Sequence, residues 1–290
     1  MHDLTLANTR DALIVASAAL FADAARNWLD EALQHLADSD DTGADLALYS
    51  AMARRKLGEA RPGQPTPIST PEAELDIERW SGAEIARVAL LATAIERRPE
   101  QVESLLGDYY RMGDESERMA LLRGLILFAP AACLSEIALD AGRTNSLELI
   151  SAITLDNPYP ARYYNDDQFN QMVLKALFLG LAIERIVGLE ERGNADLARM
   201  GEQYVVERED AGRPVPADIW LAIGAAASET GLRQMTTYLD HADTAHRYYS
   251  CIALLQCLPR DDSLRPILQE RLDKEPEKLI LDVLQDALET

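Results

Sequence analysis

Apolar residues recur at helical spacing along most of the chain. Ile85, Val88, Ala89, Ala92 and Ile95, for example, follow the period of an α-helix and share one face of it. No segment alternates apolar and polar residues convincingly, as a half-buried strand does, and no Asn-Gly hairpin turn is present. The pattern predicts an all-α protein.

The predicted helices come in pairs. From Ser81 onward each pair of short helices spans about thirty residues, and the pairs that begin near Leu232 and Asp262 keep this period. Such a repeat is typical of α-solenoids, in which each helix pair packs on its neighbours. We therefore predict an α-solenoid of irregular HEAT-like antiparallel helix pairs.

A proline-rich segment suggests how the chain is divided. Four prolines fall between residues 61 and 71, which favours an extended linker. Ser81, with Glu84 at the capping-box position, is expected to begin the first helix after it, and Pro130 is expected to open a later one. The predicted domains are an N-terminal helical pair (residues 1–60), a Pro-rich linker (61–80) and a helical-repeat domain (81–290).

The segment of residues 157–176 departs from the helical pattern. Pro158 and Pro160 fix φ and remove two backbone donors, so no helix is expected to run through them. Three tyrosines lie between residues 159 and 164, in a chain whose aromatic content is only 6%. A long helix is then expected to resume and to run to about Glu191.

A loop with aromatic and amide side chains, placed beside an apolar helix, is a common way to build a pocket. We therefore predict that this central segment, residues 157–176, binds a small molecule or a partner protein. Lys175 is either a functional amine or the partner of a structural ion pair. The predicted binding side chains are Asn157, Tyr159, Arg162, Tyr163, Phe169, Asn170, Gln171 and Lys175.

Further arginines could add to such a site. Stacked helices would place several of them on one concave wall, where guanidinium groups bind carboxylate or phosphate, or stack on aromatic rings. The alternative is that each arginine pairs with one of the abundant acidic residues and joins neighbouring repeats. The residues in question are Arg111, Arg118, Arg143 and Arg213, together with Trp220.

The net charge limits the partners. Asp and Glu total 49 against 28 Lys and Arg, a formal net charge of −21, and such a surface repels phosphate backbones and anionic lipids. We predict no nucleic-acid partner and no direct membrane insertion. Residues 12–21 resemble the apolar part of a secretion signal, but no positive region precedes them, so a helix and a cytoplasmic location are predicted.

No catalytic motif stands out. His241 and His246 are five positions apart, with a turn expected between them, which does not favour a shared metal. Asp166 and Asp167 faintly resemble the magnesium-binding motif of helical isoprenoid enzymes but lack its third carboxylate, so helix capping is favoured. No glycine-rich phosphate loop occurs. We predict no catalytic residue, no metal and no cofactor.

Several segments resemble one known family. Residues 157–161 and 170–176, Asn-Pro-Tyr-Pro-Ala and Asn-Gln-Met-Val-Leu-Lys-Ala, are similar to the hallmark of the EboA-domain family. The resemblance covers about residues 75–225. Its other parts are Trp80, residues 110–114 leading to Glu117 and Arg118, Asp140 with residues 143–145, and residues 212–214 before Trp220.

This resemblance implies a cytoplasmic bacterial protein without an assigned reaction or catalytic residues. It implies an operon shared with a membrane prenyltransferase-like protein and a sugar-phosphate-isomerase-like protein. That set is associated with trafficking secondary-metabolite precursors toward the periplasm. The implied partners are the proteins of that operon. A small aromatic or isoprenoid-like metabolite is the ligand that we predict from the aromatic and amide side chains of the central segment.

Three hypotheses remain open at this point. The first is a non-catalytic helical-repeat protein that handles a secondary-metabolite precursor, with a small aromatic or isoprenoid-like ligand or a partner protein bound at the central segment. The second is an enzyme that modifies a prenylated or aromatic precursor, with Asp166, Lys175 and the arginines as its polar groups. The third is a protein–protein scaffold, in which the central segment only holds helices together.

Overall fold

The computed structural model describes residues 5–128, 131 and 133–289, and these are mostly helical. This part of the chain contains 17 α-helices and one two-stranded sheet, which confirms the prediction of an all-α class. Pro130, which is predicted to open a helix, lies outside the described residues. The chain divides into two compact units, Met1–Tyr163 and Tyr164–Thr290.

Helices in the first unit surround one that is buried on all sides. The elements of this unit are α1 (Leu6–Ser17), α2 (Asp23–Ala37), α3 (Thr42–Leu57), β1 (Pro67–Ser69), β2 (Glu74–Asp76), α4 (Gly82–Arg97), α5 (Val102–Met112), α6 (Glu115–Arg123), α7 (Leu125–Phe128), α8 (Leu134–Arg143), α9 (Leu147–Thr154) and α10 (Pro158–Tyr163). Every residue from Gly82 to Ile95 is buried, because α1, α2, α3, α5 and α6 all pack against α4.

The start of α4 follows the sequence prediction. The Ser81 hydroxyl accepts the Glu84 backbone N–H, and the Glu84 carboxylate accepts the Ser81 N–H, which completes a capping box. The helical spacing of Ile85 and Val88 predicts one buried face. The structure instead buries every face, because α4 lies at the centre of the unit.

The prediction that the chain has no strands is wrong between residues 67 and 76. β1 pairs antiparallel with β2, and Ile68 lies opposite Leu75 with both side chains buried. Each strand is only three residues long, too short to show an alternating pattern in the sequence. The placing of a domain boundary within residues 61–80 stays a prediction.

The prediction that no helix runs through Pro158 and Pro160 is wrong for Pro160, because α10 begins at Pro158 and continues through Pro160. The backbone N–H groups of a helix's first turn have no partner inside the helix. Proline therefore loses nothing there, and its fixed φ suits the first helical positions.

In the second unit, the regular elements formed by the described residues are all helices. They are α11 (Asp166–Leu179), α12 (Ala195–Asp210), α13 (Ile219–Gly224), α14 (Glu229–Tyr238), α15 (Thr244–Cys257), α16 (Arg265–Lys274) and α17 (Lys278–Leu288). Here α13 and α15 pack together, and α12, α14 and α17 pack against this pair.

The helix that begins at Asp166 ends well before Glu191, so the predicted long helix is wrong. Gly180 follows α11 with left-handed φ and ψ of 70° and 28°. The Leu181 N–H then bonds to the Ala176 carbonyl at 2.9 Å, which is the Schellman arrangement that ends helices. Only glycine adopts this backbone conformation at little cost.

A buried ion cluster joins α15 and α16. Arg247 bonds to both carboxylate oxygens of Glu275, at 3.2 and 3.0 Å, and Arg271 lies 3.1 Å from the same carboxylate. Arg271 also donates to the Leu239 carbonyl at 2.9 Å. These contacts satisfy charges that would be costly to bury alone.

Within the described residues, no helix combines the length and the apolar character needed to cross a membrane.

Candidate functional site

Asn157 is buried at the turn between α9 and α10. Its amide nitrogen donates to the carbonyl oxygens of Leu122 and Ala152, at 2.8 and 2.9 Å, and its amide oxygen accepts the Tyr159 N–H at 3.0 Å. Both polar atoms of the side chain therefore bind the backbone. Asn157 connects α6, α9 and α10, and this use is structural.

Two tyrosines of the central segment stack on each other. The ring centroids of Tyr159 and Tyr163 are 4.8 Å apart with an interplanar angle of 23°. Tyr159 is buried, which raises its pKa to about 12. Tyr163, by contrast, is 37% exposed. Arg162 is exposed and lies 3.8 Å from the Glu72 carboxylate. Of the four predicted residues in α10 and its preceding turn, Arg162 and Tyr163 reach the surface.

The predicted residues of α11 belong to the second unit. Asn170 is buried and forms a reciprocal amide pair with Asn194, in which each side chain donates to the other at 3.1 and 3.0 Å. The Asn194 side chain also accepts the Leu197 N–H and so caps α12. Asn170 therefore joins α11 to α12. Gln171, the next residue, is exposed.

Arg192 anchors the start of α11 in a way that the sequence does not predict. Its guanidinium carbon lies 4.8 Å from the ring centroid of the fully buried Phe169. It also donates to the Tyr164 carbonyl at 3.0 Å and to the Asp166 carboxylate at 2.9 Å. Lys175, further along the helix, is half-buried.

The predicted arginines have different surroundings. Arg118 donates to the Gly113 carbonyl at 3.0 Å, and its guanidinium carbon lies 5.5 Å from the Tyr110 ring centroid. Arg118 thus closes the turn between α5 and α6. Arg111 forms an ion pair with Asp108 on its own helix. Arg143, in the first unit, and Arg213, in the second, are exposed.

Trp220 is fully buried in an aromatic cluster of the second unit. Its indole N–H donates to Nδ1 of His246 at 3.2 Å, and its ring centroid lies 4.6 Å from that of Tyr238. The His241 and His246 rings are 4.3 Å apart, and burial lowers the pKa of His246. In the described residues no group of three or more His, Cys, Asp or Glu side chains is placed to hold a metal ion.

A cavity of about 320 Å³ lies in the first unit, within the range of small-molecule sites. Its walls come mainly from α3 and α5, which both pack on α4, and include Glu117 of α6. Gly43, Ala47 and Ala51 are spaced one turn apart on α3, and the α5 residues follow the same helical period. The lining residues are Asp41, Gly43, Leu46, Ala47, Ala51, Gln101, Ser104, Leu105, Asp108, Tyr109, Met112, Gly113 and Glu117.

A hydrogen-bonded network holds the walls of this cavity together. The Ser50 hydroxyl of α3 donates to the Glu117 carboxylate of α6 at 2.6 Å, and it bonds to the Tyr109 hydroxyl of α5 at 2.7 Å. Arg87 of α4 is 2% exposed and donates to the Ser50 carbonyl at 3.3 Å. Burial raises the pKa of the Tyr109 phenol, so it keeps its proton. The network thereby links four helices, α3, α4, α5 and α6, beside the cavity.

The lining combines an apolar wall with an acidic one. Leu46, Leu105 and Met112 supply the apolar surface, and 78% of Met112 is exposed. Neither lysine nor arginine is among the lining residues that the structure describes. The arrangement can hold a small molecule that is largely apolar.

A family model described as "Metabolite traffic protein EboA" matches residues 13–224. The chain belongs to the EboA family. Searches of curated proteins and of solved structures find no match. The EboA match begins closer to the N-terminus than the resemblance at residues 75–225, and it includes α2 and α3. All lining residues of the cavity fall within the EboA region.

None of the residues predicted to bind a ligand lines this cavity. However, some residues from the segments that resemble the EboA family do line it. Met112, Gly113 and Glu117 belong to the stretch of residues 110–118 that resembles the family. The sequence could have revealed the cavity-facing side of α5 from its helical period. It could not reveal that Ser50 meets Tyr109, because that contact joins helices that are far apart in the chain.

Proposed function

We propose that this EboA-family chain is a non-catalytic carrier in metabolite traffic that holds a small molecule in the cavity between α3 and α5. The observation that carries the proposal is the cavity of about 320 Å³, which lies inside the family region and is fixed by the Ser50 network. The family description supports the traffic role.

We further propose a cytoplasmic protein whose helices form irregular HEAT-like pairs. The packing of α8 on α9, α14 on α15 and α16 on α17 supports such pairs, since each couples consecutive helices. The operon partners and an aromatic or isoprenoid-like ligand belong to the same proposal, and the family description supports them only through the traffic role.

The central segment has a supporting role in this proposal. Asn157, Phe169 and Asn170 are buried, and their contacts lie within their own units. That the segment itself binds a metabolite or a partner stays a prediction. Its surface groups Arg162, Tyr163 and Gln171 are the residues through which it would act.

The test is to fill the cavity with one side chain. Ala47 lines it and is exposed on α3, so Ala47→Trp places an indole in the opening. Ala44→Trp is the matched control, because Ala44 is exposed on the same helix and does not line the cavity. Either change costs less than about 1 kcal/mol of helix propensity.

Each protein is purified from the native host and examined by native mass spectrometry and by thermal unfolding. We expect a co-purifying small molecule in the wild type and in Ala44→Trp, and its loss in Ala47→Trp. Ala47→Trp should still unfold cooperatively, with a melting temperature lower by no more than the lost ligand and the helix-propensity cost explain. Retention of the same molecule by Ala47→Trp would show that the cavity is not the binding site.

A further inference from the structure

We infer that the cavity between α3 and α5 takes an apolar molecule with a hydrogen-bond donor head group, a hydroxyl or an amine, and excludes phosphorylated molecules. This inference rests on the proposed function and names the ligand class of the same site. Its basis is the direction of the hydrogen bonds around the cavity and the charge of its lining.

The network leaves mainly acceptors. A carboxylate only accepts, so the single Ser50 hydroxyl proton is committed to Glu117 at 2.6 Å. The Tyr109 hydroxyl must then be the donor in its 2.7 Å bond to Ser50. The second carboxylate oxygen of Glu117 accepts the Asp114 N–H at 2.8 Å, so Tyr109 and Glu117 retain only their remaining oxygen lone pairs. The Ser104 hydroxyl likewise donates to the Gln101 carbonyl at 2.9 Å and keeps only its acceptor capacity.

The other polar side chains that line the cavity are also mainly hydrogen-bond acceptors. Asp41 accepts the Ala44 N–H as the cap of α3, and Asp108 accepts from Arg111, so both present carboxylates beside the opening. Of the lining side chains in the described residues, only Gln101 carries an N–H donor. A hydroxyl or an ammonium finds acceptors here.

A phosphate group needs hydrogen-bond donors and positive charge, whereas this lining presents mainly acceptors and negative charge. It brings further acceptor oxygens and negative charge to a wall formed by Asp41, Asp108 and Glu117. Neither Arg87 nor Arg111 is among the lining residues, and both are already bonded: Arg87 donates to the Ser50 carbonyl, and Arg111 pairs with Asp108. The N–H groups at the start of α3 lie next to Asp41, which already accepts from one of them.

The apolar wall determines the rest of the ligand. Leu46, Leu105 and Met112 line the cavity together with two alanines. Water on this surface is displaced favourably by an apolar body, and the gain grows with the area covered. The head group then decides which apolar molecules are accepted, because polar groups left unpaired on binding are costly.

Four probes with one aromatic body separate these effects: 1-naphthol, 1-naphthylmethylamine, 1-methoxynaphthalene and 1-naphthyl phosphate. Titration calorimetry on the full chain measures their affinities. We expect naphthol and the amine to bind at least about tenfold more tightly than the methoxy compound, which lacks a donor. The phosphate is expected to bind most weakly, and Ala47→Trp, but not Ala44→Trp, is expected to abolish binding.

Two acid-to-amide variants test the charge argument. Asp108→Asn removes a carboxylate from the cavity wall. It is expected to reduce the gap in affinity, the ratio of the naphthol affinity to the naphthyl phosphate affinity, several-fold. Glu136→Gln changes the net charge equally on the exposed side of α8 and is expected to leave the gap unchanged. If this affinity ratio changes equally in both variants, only the overall charge of the protein matters, which overturns the inference.

The remaining outcomes separate the inference from the proposed function. If the methoxy compound or the phosphate binds as tightly as naphthol and Ala47→Trp removes that binding, the cavity is a binding site but the inferred ligand class is wrong. If no probe binds the wild type, the inferred class is wrong as well. The proposed function is judged separately, by the molecule that co-purifies with wild type and is lost in Ala47→Trp.

Discussion

The central segment and the cavity between α3 and α5 use their polar side chains in opposite ways. In the central segment, the amides of Asn157 and Asn170 are buried and bonded within their own units. In the cavity, Tyr109 and Glu117 bond to Ser50 and still line an open space. Buried amides that are fully bonded specify a structure, whereas polar groups that face a cavity remain available to a ligand.

The comparison explains why an unusual sequence is a weak guide to a binding site. Prolines, tyrosines and asparagines stand out among helices, and they also solve structural problems at helix ends and turns. The α3 and α5 residues do not stand out, because leucine, alanine, serine and methionine are common in helices. The following substitutions test whether the two regions really differ in this way.

The largest effect is expected from Asn157→Ala. The change leaves two carbonyl oxygens and one N–H without their partner in a buried turn, so we expect a loss of about 2–4 kcal/mol of unfolding free energy. Chemical denaturation measures it. Asn145→Ala, at an exposed position of the same unit, is the control and should change stability by less than about 0.5 kcal/mol. An equally small change for Asn157→Ala would remove the structural interpretation.

Asn170→Ala is expected to cost somewhat less, about 1–3 kcal/mol, because Asn194 keeps its capping bond to Leu197 while it loses the reciprocal amide pair. The neighbouring exposed Gln171→Ala should be neutral within about 0.5 kcal/mol. A double-mutant cycle with Asn194→Ala measures the coupling directly. Coupling near zero would mean that the pair does not hold α11 to α12.

The third prediction concerns Trp220 and the dependence of stability on pH. Burial lowers the pKa of His246 in the folded state, so the unfolded state binds more protons as the pH falls through the ordinary range for histidine. Unfolding free energy should therefore decrease as the pH falls below about 6.5, and level off below the folded-state pKa.

Trp220→Phe removes the indole N–H, which donates a hydrogen bond to Nδ1 of His246. We expect a loss of about 1 kcal/mol at neutral pH and a shallower decrease toward low pH, because protonated His246 no longer faces an N–H. Denaturation curves collected across this pH range measure both quantities. A pH dependence as steep as that of the wild type would show that the Trp220 contact does not restrict His246.

The sequence predicts much of the fold because helix signals are local. The Ser81 capping box, the end of α3 at Gly58 and the break at Gly113 and Asp114 all follow from residues within one or two turns of each other. The early end of α11 also has a local signal, which is Gly180. The apolar residues that follow Gly180 obscure this signal in the sequence.

The functional site is less predictable because it depends on contacts between distant residues. Ser50 meets Tyr109 and Glu117 only when α3, α5 and α6 pack around α4. Arg192 meets Phe169 across a turn that local patterns do not specify. Leu122, which Asn157 binds, and Asn194, which Asn170 binds, are likewise distant in the chain. The sequence therefore marks these asparagines without showing that their amides are already bonded.

The smallest effect on stability, and the sharpest test of the comparison, is expected from two exposed apolar residues. Met112 at the end of α5 is 78% exposed and lines the cavity, and Phe178 near the end of α11 is 74% exposed and follows the central segment. Met112→Ser and Phe178→Ser should each change stability by less than about 0.5 kcal/mol, because neither side chain is packed in a core.

The two variants should differ in what they bind. If the cavity holds the metabolite, Met112→Ser removes apolar surface from its wall and should lower the fraction of protein that retains the co-purifying molecule in native mass spectrometry. Phe178→Ser should retain as much as the wild type. The reverse result, loss in Phe178→Ser and retention in Met112→Ser, would move the binding surface to the region of the central segment. The network of Ser50 and Tyr109 would then be only a structural connection between helices.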